Sequence, residues 1–457
     1  MNCALLLTVA AFPSSVVLLV AKPRLWLPAY LLLLPIAPQV ALAGVPVSAS
    51  SLVLVGGMTS ILLHKLLRRD LTVGAFPPMT ATLAFLVSVF FSSINAGLIW
   101  GDDLGDLSLM KWARLVESFL PFILLAATYR VVDDSFVRRA VNTILLAGTL
   151  GAALGILSCV FPDAFYTLYS IDRYRGFQFA CLWRAVGVFL DPNHLSSFLA
   201  IVLVLAAATA TDRALAINRL LLGAAVAVCL PAMLLTFSRA GWLNLLAAGL
   251  TFLAVARRIQ FARRVRVAAV VVLSLLVVVG VLARFHPELS SSLWRRVALT
   301  ITYLTSGEID RAFSGRISVW EGVAEAFAAH PTFGIGYKML PEKVVMADNN
   351  YLCFLAEGGI AGALVWLLWL VSVTVAAARA ARRHSLGACV LAAWVGMLAN
   401  MMSADVMTYW RTVGLFMSIL GLVLIASHRR GGNRAPEAGC EQPSNPRRSP
   451  ERPEILG

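Results

Sequence analysis

The chain has 457 residues, of which 59% are hydrophobic and only 14% charged, and its mean hydropathy is +0.81. Soluble domains carry roughly half apolar and about a quarter charged residues, so this composition excludes a soluble enzyme, a disordered chain and a disulfide-knotted secreted domain. The net charge of +14, from 38 Lys and Arg against 24 Asp and Glu, sits in short clusters between apolar runs, which is the pattern of cytoplasmic loops and not of a nucleic-acid surface.

In chain order, apolar runs occupy 2–21, 25–44, 51–67, 77–97, 111–129, 139–161, 194–211, 217–236, 239–256, 267–285, 360–378, 386–402 and 410–427. Lipid leaves no partner for open backbone, so each is predicted to be a helix. The expected fold is an all-α polytopic integral membrane protein with about 12–13 transmembrane helices. Its expected parts are amino-terminal spans (1–161), an outer loop (162–193), central spans (194–285), a large helical outer loop (286–359), carboxy-terminal spans (360–427) and a disordered Pro- and Arg-rich tail (428–457).

Every second connection is basic. Lys22 and Arg24, Lys65 with Arg68 and Arg69, Arg138 and Arg139, Arg213 and Arg219, the run from Arg257 to Arg266, Arg379 with Arg382 and Arg383, and finally Arg429 and Arg430 fall on one side. Positive loops stay in the cytoplasm, which places the tail inside and, with thirteen spans, the amino terminus outside. The first segment has no basic leader and no small-residue cleavage site, so it reads as a span and not a signal peptide. The seven cysteines show no metal spacing or CxxC pair; Cys181 and Cys353, both on the predicted outer face, read as buried free thiols.

Long connections are usually functional or disordered, and the two outer loops are the long ones here. In the larger, Ile317, Trp320, Val323, Ala324 and Phe327 repeat at helical spacing after Ser314 and before Pro331, which predicts an amphipathic helix over 314–329 on the outer surface.

Four polar patterns map to the outer side. The first runs from Arg184 through Gly187 and Phe189 to Asp191-Pro192-Asn193-His194; it reads equally as a helix cap beside an interfacial Arg. The second is Ser238-Arg239-Ala240-Gly241, where an Arg between two spans meets water, a lipid phosphate or a ligand anion. The third, Ser314-Gly315-Arg316, opens the amphipathic helix, and a helix start with a guanidinium fork suits phosphate oxygens. The fourth joins His330-Pro331-Thr332-Phe333-Gly334-Ile335-Gly336-Tyr337 to Asp348-Asn349-Asn350-Tyr351 and Ala356-Glu357-Gly358-Gly359.

In this order and topology, the four patterns over 184–365 resemble the O-antigen ligase and polymerase superfamily. The resemblance implies a glycosyltransferase of type C-like fold that uses undecaprenyl pyrophosphate as glycan carrier at the periplasmic face of the bacterial inner membrane, without metal or other cofactor. Its partners would be the lipid-linked donor, a glycan or lipid A-core acceptor, the bilayer and, for a polymerase, a chain-length regulator; nucleic acid is not among them. Arg239, Arg316 and Arg184 would then hold the pyrophosphate. Asp348 and Asn349 stand where ligases of this family place His-Asn, with that His as the base. The Asp in its place shifts the expectation to a repeat-unit polymerase, with a lipid A-core ligase as the alternative. Asp348 would accept the acceptor's proton or only orient the acceptor. Tyr337, Tyr351 and His330 are sugar-binding candidates, with interfacial anchoring as the other reading of the tyrosines. A lipid-linked glycan flippase is the rival class; it would place charges within its spans, whereas this chain shows almost none there beyond Glu117.

Overall fold

The computed structural model describes residues 22–42, 45–70, 72–74, 76–169, 178–179, 182–212, 215, 217–256, 280, 284, 287–308, 316–344 and 347–432. The predicted spans 2–21 and most of 267–285, Cys181, Ser314 and residues 433–457 lie outside them. The helices are α1 (Trp26–Leu33), α2 (Ala49–Leu67), α3 (Pro77–Trp100), α4 (Asp102–Ala127), α5 (Asp134–Val160), α6 (Pro162–Tyr169), α7 (Pro192–Thr211), α8 (Arg219–Leu235), α9 (Arg239–Val255), α10 (Pro287–Thr305), α11 (Arg316–Ala329), α12 (Leu340–Lys343), α13 (Asn350–Ala381), α14 (Ser385–Met401) and α15 (Trp410–Gly432). Two short antiparallel hairpins complete the set, β1 (Gln39–Leu42) with β2 (Val45–Ser48) and β3 (Gln178–Phe179) with β4 (Leu182–Trp183). The protein is an all-α polytopic membrane protein. Among the described residues, six helices are long and apolar enough to cross a membrane (α2, α3, α5, α7, α13 and α15), and α8, α9 and α14 are apolar but shorter.

One predicted span is corrected. Residues 25–44 are not a single helix: α1 stops at Leu33, and the chain turns back as β1–β2. Pro35 and Pro38 explain the break, since proline removes a helix donor and disfavours the helical region in the residue before it. Ser48 then starts α2 with a reciprocal cap, its hydroxyl accepting from Ser51 N at 3.2 Å. Further boundaries move, among them the start of α13, which lies at Asn350 rather than 360. α4 begins at Asp102 rather than 111, with Asp102 and Asp103 in its first turn, where acids complement the helix dipole. α15 continues to Gly432, so the start of the predicted tail is helical.

α15 and α7 form the centre, and 94% of the α15 span is buried in the molecule. α4, α7 and α14 pack on α15, while α9 packs on α14 and α7. Gly396 of α14 makes that last approach close: a Cβ there would run into the Asn244 side chain and backbone of α9, the small-residue packing typical of helices in lipid. Leu83, Val87, Phe91 and Leu98 on α3 and Leu364, Leu368 and Val371 on α13 point outward and stay exposed. In water such a belt would be an aggregation hazard; in lipid it is the natural outer surface.

The helix ends sort into two poles. At one, Arg24 pairs with Asp133 (3.4 Å), Arg130 with Asp70 (3.0 Å), and Arg429 donates to the Arg130 carbonyl (2.6 Å). At the other lie the starts of α7, α9, α13 and α15 and the described residues of the four polar patterns. Glu117, the acid within a predicted span, pairs with Arg114 one turn away and accepts from the Ser51 hydroxyl at 2.6 Å. Arg411, 1% exposed, donates to the carbonyls of Leu34 (2.9 Å) and Ala37 (2.8 Å), closing the carboxy-terminal end of α1.

Candidate active site

The first two patterns form one construction. Asp191 caps α7, its Oδ1 accepting from Asn193 N at 2.6 Å and His194 N at 3.1 Å. Ser238 caps α9 by accepting from Gly241 N at 3.0 Å. The Ser238 hydroxyl also donates to Asn193 Oδ1 at 2.6 Å, and Arg184 Nε donates to the Thr236 carbonyl at 2.7 Å. Each cap thus braces the other. A Cβ on Gly241 would strike Ser196 of α7, which explains the small residue after Arg239.

Arg184, Asn193, Phe237, Ser238, Arg239, Ala240 and Arg316 line one cavity. Arg239 and Arg316, 77 positions apart in the chain, lie close enough there to repel each other. Burial lowers the Arg184 guanidinium to about 10, and Asp191 opposes the shift. Arg239 and Arg316 repel each other across this hollow, an anion entering it would relieve that repulsion, and planar forks suit the paired oxygens of a diphosphate. Arg316 begins α11, whose Val323 and Ala326 are buried against α13, with Val319 and Phe327 partly so. Val323 and Phe327 of the predicted stripe thus pack on protein, whereas Ala324 is exposed and Ala326 takes its place on the buried face.

Asp348 stands opposite, with Arg316 Nη2 donating to its Oδ2 at 2.9 Å. About half its side-chain surface is accessible. Its carboxyl is raised above the usual range, first by burial and then by the nearby Asp405 charge, with Arg316 working against both. That is the direction a proton acceptor needs near neutral pH. Asn349 is occupied structurally, its side-chain oxygen capping α13 by accepting from Tyr351 N (3.0 Å) and Leu352 N (3.2 Å).

The three sugar-binding candidates are not gathered at the cavity wall. Tyr337 is 3% exposed and stacks on Phe354. Tyr351 donates its hydroxyl to the Leu398 carbonyl at 2.9 Å and meets Trp366 edge-on. His330 closes α11, its carbonyl accepting from Gly334 N at 2.9 Å.

The glycines of the fourth pattern serve the backbone. Gly334 (φ 72°) and Gly359 (φ 61°) interlock, and a Cβ on either would strike the other strand of the pair. Four backbone bonds clamp them: Ile335 N to Ala356 O (3.0 Å), Gly336 N to Glu357 O (3.1 Å), Ile360 N to Pro331 O (2.8 Å) and Ala361 N to Thr332 O (3.1 Å). From α3, Asn95 and Trp100 donate to the carbonyls of Gly334 and Ile335, each at 2.9 Å. The clasp also kinks α13 at Gly359.

Residues that the sequence reading did not single out also reach this pole. Lys338 Nζ donates to Asp405 Oδ2 at 2.6 Å, and Asn350 Nδ2 to Asp405 Oδ1 at 2.5 Å. Tyr409 stacks on His194 with ring centres 4.7 Å apart and feels the charges of Asp191, Asp348, Asp405 and Arg316. The available signal was an acid, Asp405, set in the short outer turn between the last two predicted spans, with Tyr409 and Arg411 following. Among the described non-glycine residues, four have positive φ, and three of them, Leu190, Phe237 and Lys338, adjoin the site. Strained backbone of this kind collects where geometry is over-determined for function.

Among the described residues no group of three His, Cys, Asp or Glu side chains is placed to hold a metal. Cys353 is a buried free thiol. No curated protein matches the chain. Residues 223–367 match the O-antigen ligase family model, a stretch that contains Arg239, Arg316, Lys338 and Asp348 but neither Arg184 nor Asp405. It is this stretch, about a third of the chain, that is similar to the O-antigen ligase and polymerase superfamily of glycosyltransferase-like membrane enzymes.

Proposed function

We propose that the protein moves a glycan from a polyprenyl pyrophosphate carrier onto a glycan acceptor at the outer, periplasmic face of a bacterial inner membrane, as a repeat-unit polymerase of a surface polysaccharide. The observation that carries this reading is the single cavity where Arg184, Arg239 and Arg316 meet, with Asp348 bonded to the last of them. The acceptor oxygen attacks the anomeric carbon while that carbon's bond to the diphosphate oxygen breaks. The electron pair leaves with the polyprenyl diphosphate, whose growing charge the three guanidiniums meet. The acceptor's proton passes to Asp348. Because Arg316 touches Asp348 before any donor arrives, the group that holds the leaving charge and the group that takes the proton share one electrostatic unit.

The alternation of basic loops supports the periplasmic placement, since the cavity lies at the pole opposite Arg24, Arg130 and Arg429. The second reading is a ligase that transfers to lipid A-core. The description of the matched family as an O-antigen ligase favours it, whereas Asp348 in place of a His favours the polymerase.

The test uses the purified protein in lipid nanodiscs with a polyprenyl-pyrophosphate glycan. Growth of the glycan on a second lipid-linked unit supports polymerase, and transfer to lipid A-core supports ligase. Donor crossing sealed vesicles without any new glycosidic bond overturns both in favour of a flippase.

A further inference from the structure

Lys338 is the unexplained charge at this pole. It is 4% exposed, sits two residues after the clasp glycine Gly336, and holds a left-handed backbone (φ 59°) that a side chain rarely adopts. An ammonium is removed from water only when something specific compensates, and here its directed bond goes to Asp405 at 2.6 Å. The other Asp405 oxygen is held by Asn350, whose own oxygen accepts from Met407 N at 3.2 Å. Both oxygens are thus fixed by groups from separate elements, the loop after the clasp and the start of α13. Glu357, 1% exposed, is the other acid near Lys338; neither of its oxygens makes a hydrogen bond of good geometry.

The exposure pattern separates a device from a staple. Asn350 is fully buried and Lys338 nearly so, yet the Asp405 side chain keeps 19% of its surface. Its charge is felt by Asp348 and by Tyr409, so the partly accessible carboxylate lies near Asp348. A carboxylate accepts up to about four hydrogen bonds, and two are taken, which leaves room for hydroxyls.

We propose that Lys338 is a positioning residue: it fixes Asp405 beside Asp348 as a second carboxylate that takes hydroxyl groups of the acceptor glycan. Lys338 itself does not touch the substrate. The proposal rests on the glycan-transfer reading above and adds how the acceptor is held.

The experiment compares wild type, Lys338→Met, Lys338→Arg and Asp405→Asn as full-length protein in nanodiscs. The donor is the lipid-pyrophosphate glycan extracted from the source membranes, and the acceptor is the same glycan freed from its lipid by mild acid. Lys338→Met is expected to lower kcat/KM for the acceptor about 10- to 100-fold, the scale of a lost charge-assisted hydrogen bond, while the donor KM stays within about twofold. Lys338→Arg restores most of the loss. A structural staple would instead weaken donor and acceptor parameters together; that result, or no change in either, overturns the proposal. Should Lys338→Met fail to fold, Asp405→Asn decides by the same split. A wild-type protein that joins no glycan removes the transfer reaction, and the comparison then passes to equilibrium binding of the freed glycan, read by tryptophan fluorescence. Weaker binding by about tenfold in Lys338→Met sustains the inference; equal binding, or none to wild type, ends it.

Discussion

The clasp comes from one short stretch of chain and the cavity from three distant ones, and they are built on opposite principles. In the clasp, Gly334 and Gly359 matter because they have no side chain, and the work is done by four backbone hydrogen bonds. In the cavity, Arg184, Arg239, Arg316 and Asp348 matter for their charged side chains, one of which, Arg184, also braces the Thr236 carbonyl. The first holds α13 against the 331–336 turn; the second is the proposed substrate site. Lys338 lies between them and takes part in both, strained in backbone like the clasp and charged like the cavity. Geometry is therefore set by one region and spent as chemistry in the other, and substitutions should separate the two cleanly.

The largest expected effect lies in the clasp. Gly359→Ala puts a Cβ into the Thr332 carbonyl at a positive φ, with strain and overpacking costing about 3 kcal/mol or more. Little folded protein should survive extraction, seen as lost yield and a lowered Tm. Gly358→Ala is the control next door, where the nearest atom to a new Cβ is 3.8 Å away; it should melt like wild type. Equal behaviour of the two would dissolve the distinction between the regions.

Asp348→Asn should act the other way round, with Tm unchanged and turnover reduced about 10²–10⁴-fold if the carboxylate is the base. A loss under about tenfold assigns it only an orienting role. Asp348→His restores the ligase pattern; an active Asn variant beside a dead His variant would mean the position is steric.

Arg316→Ala removes one donor to the leaving group and should cost roughly 10²–10³-fold in kcat, again with little change in Tm. It also sharpens the pH argument. A base works above its pKa and fails as pH falls through it. Burial and Asp405 already raise Asp348, and Arg316 restrains the rise. The acid limb of the rate should therefore lie above the ordinary carboxylate range in wild type and move to still higher pH without Arg316. A limb that moves down would show that Asp348 is not the titrating group.

The smallest effect is a label. Ser306 is exposed after α10, in the loop expected to face outward, so Ser306→Cys should react with an impermeant maleimide in intact spheroplasts without loss of activity. Labelling only after permeabilisation would invert the proposed orientation.

The spans were legible because lipid imposes a single rule, apolar and helical, that shows in the composition of each run. The rule failed at 25–44, where Pro35 and Pro38 outweigh hydropathy. The site was half legible. Arg239 and Arg316 were readable because guanidiniums are scarce beside spans on that side, and the cavity brings them together. Asn349 and Tyr351 were ambiguous from the start, since a cap and a ligand need the same residue types; the fold uses them in caps and packing. Lys338 and Asp405 were hidden because their partnership spans 67 positions and three helices, and neither lies in a pattern whose spacing carries a signal.

Arg411 has a consequence in time as well as in space. It sits at the start of α15, which leaves the ribosome after every other described helix, and completes the carbonyls of Leu34 and Ala37 at the end of α1, made some 377 residues earlier. Among the described candidate spans α15 is also the most enclosed. Synthesis runs from the amino terminus, so α4, α7 and α14 lack their common packing partner, and a pair of carbonyls stays unanswered, until α15 arrives. A chain cut short before residue 410 would not be a smaller version of this protein but a bundle without its most enclosed described helix, and membrane quality control would meet it as open polar backbone within the bundle.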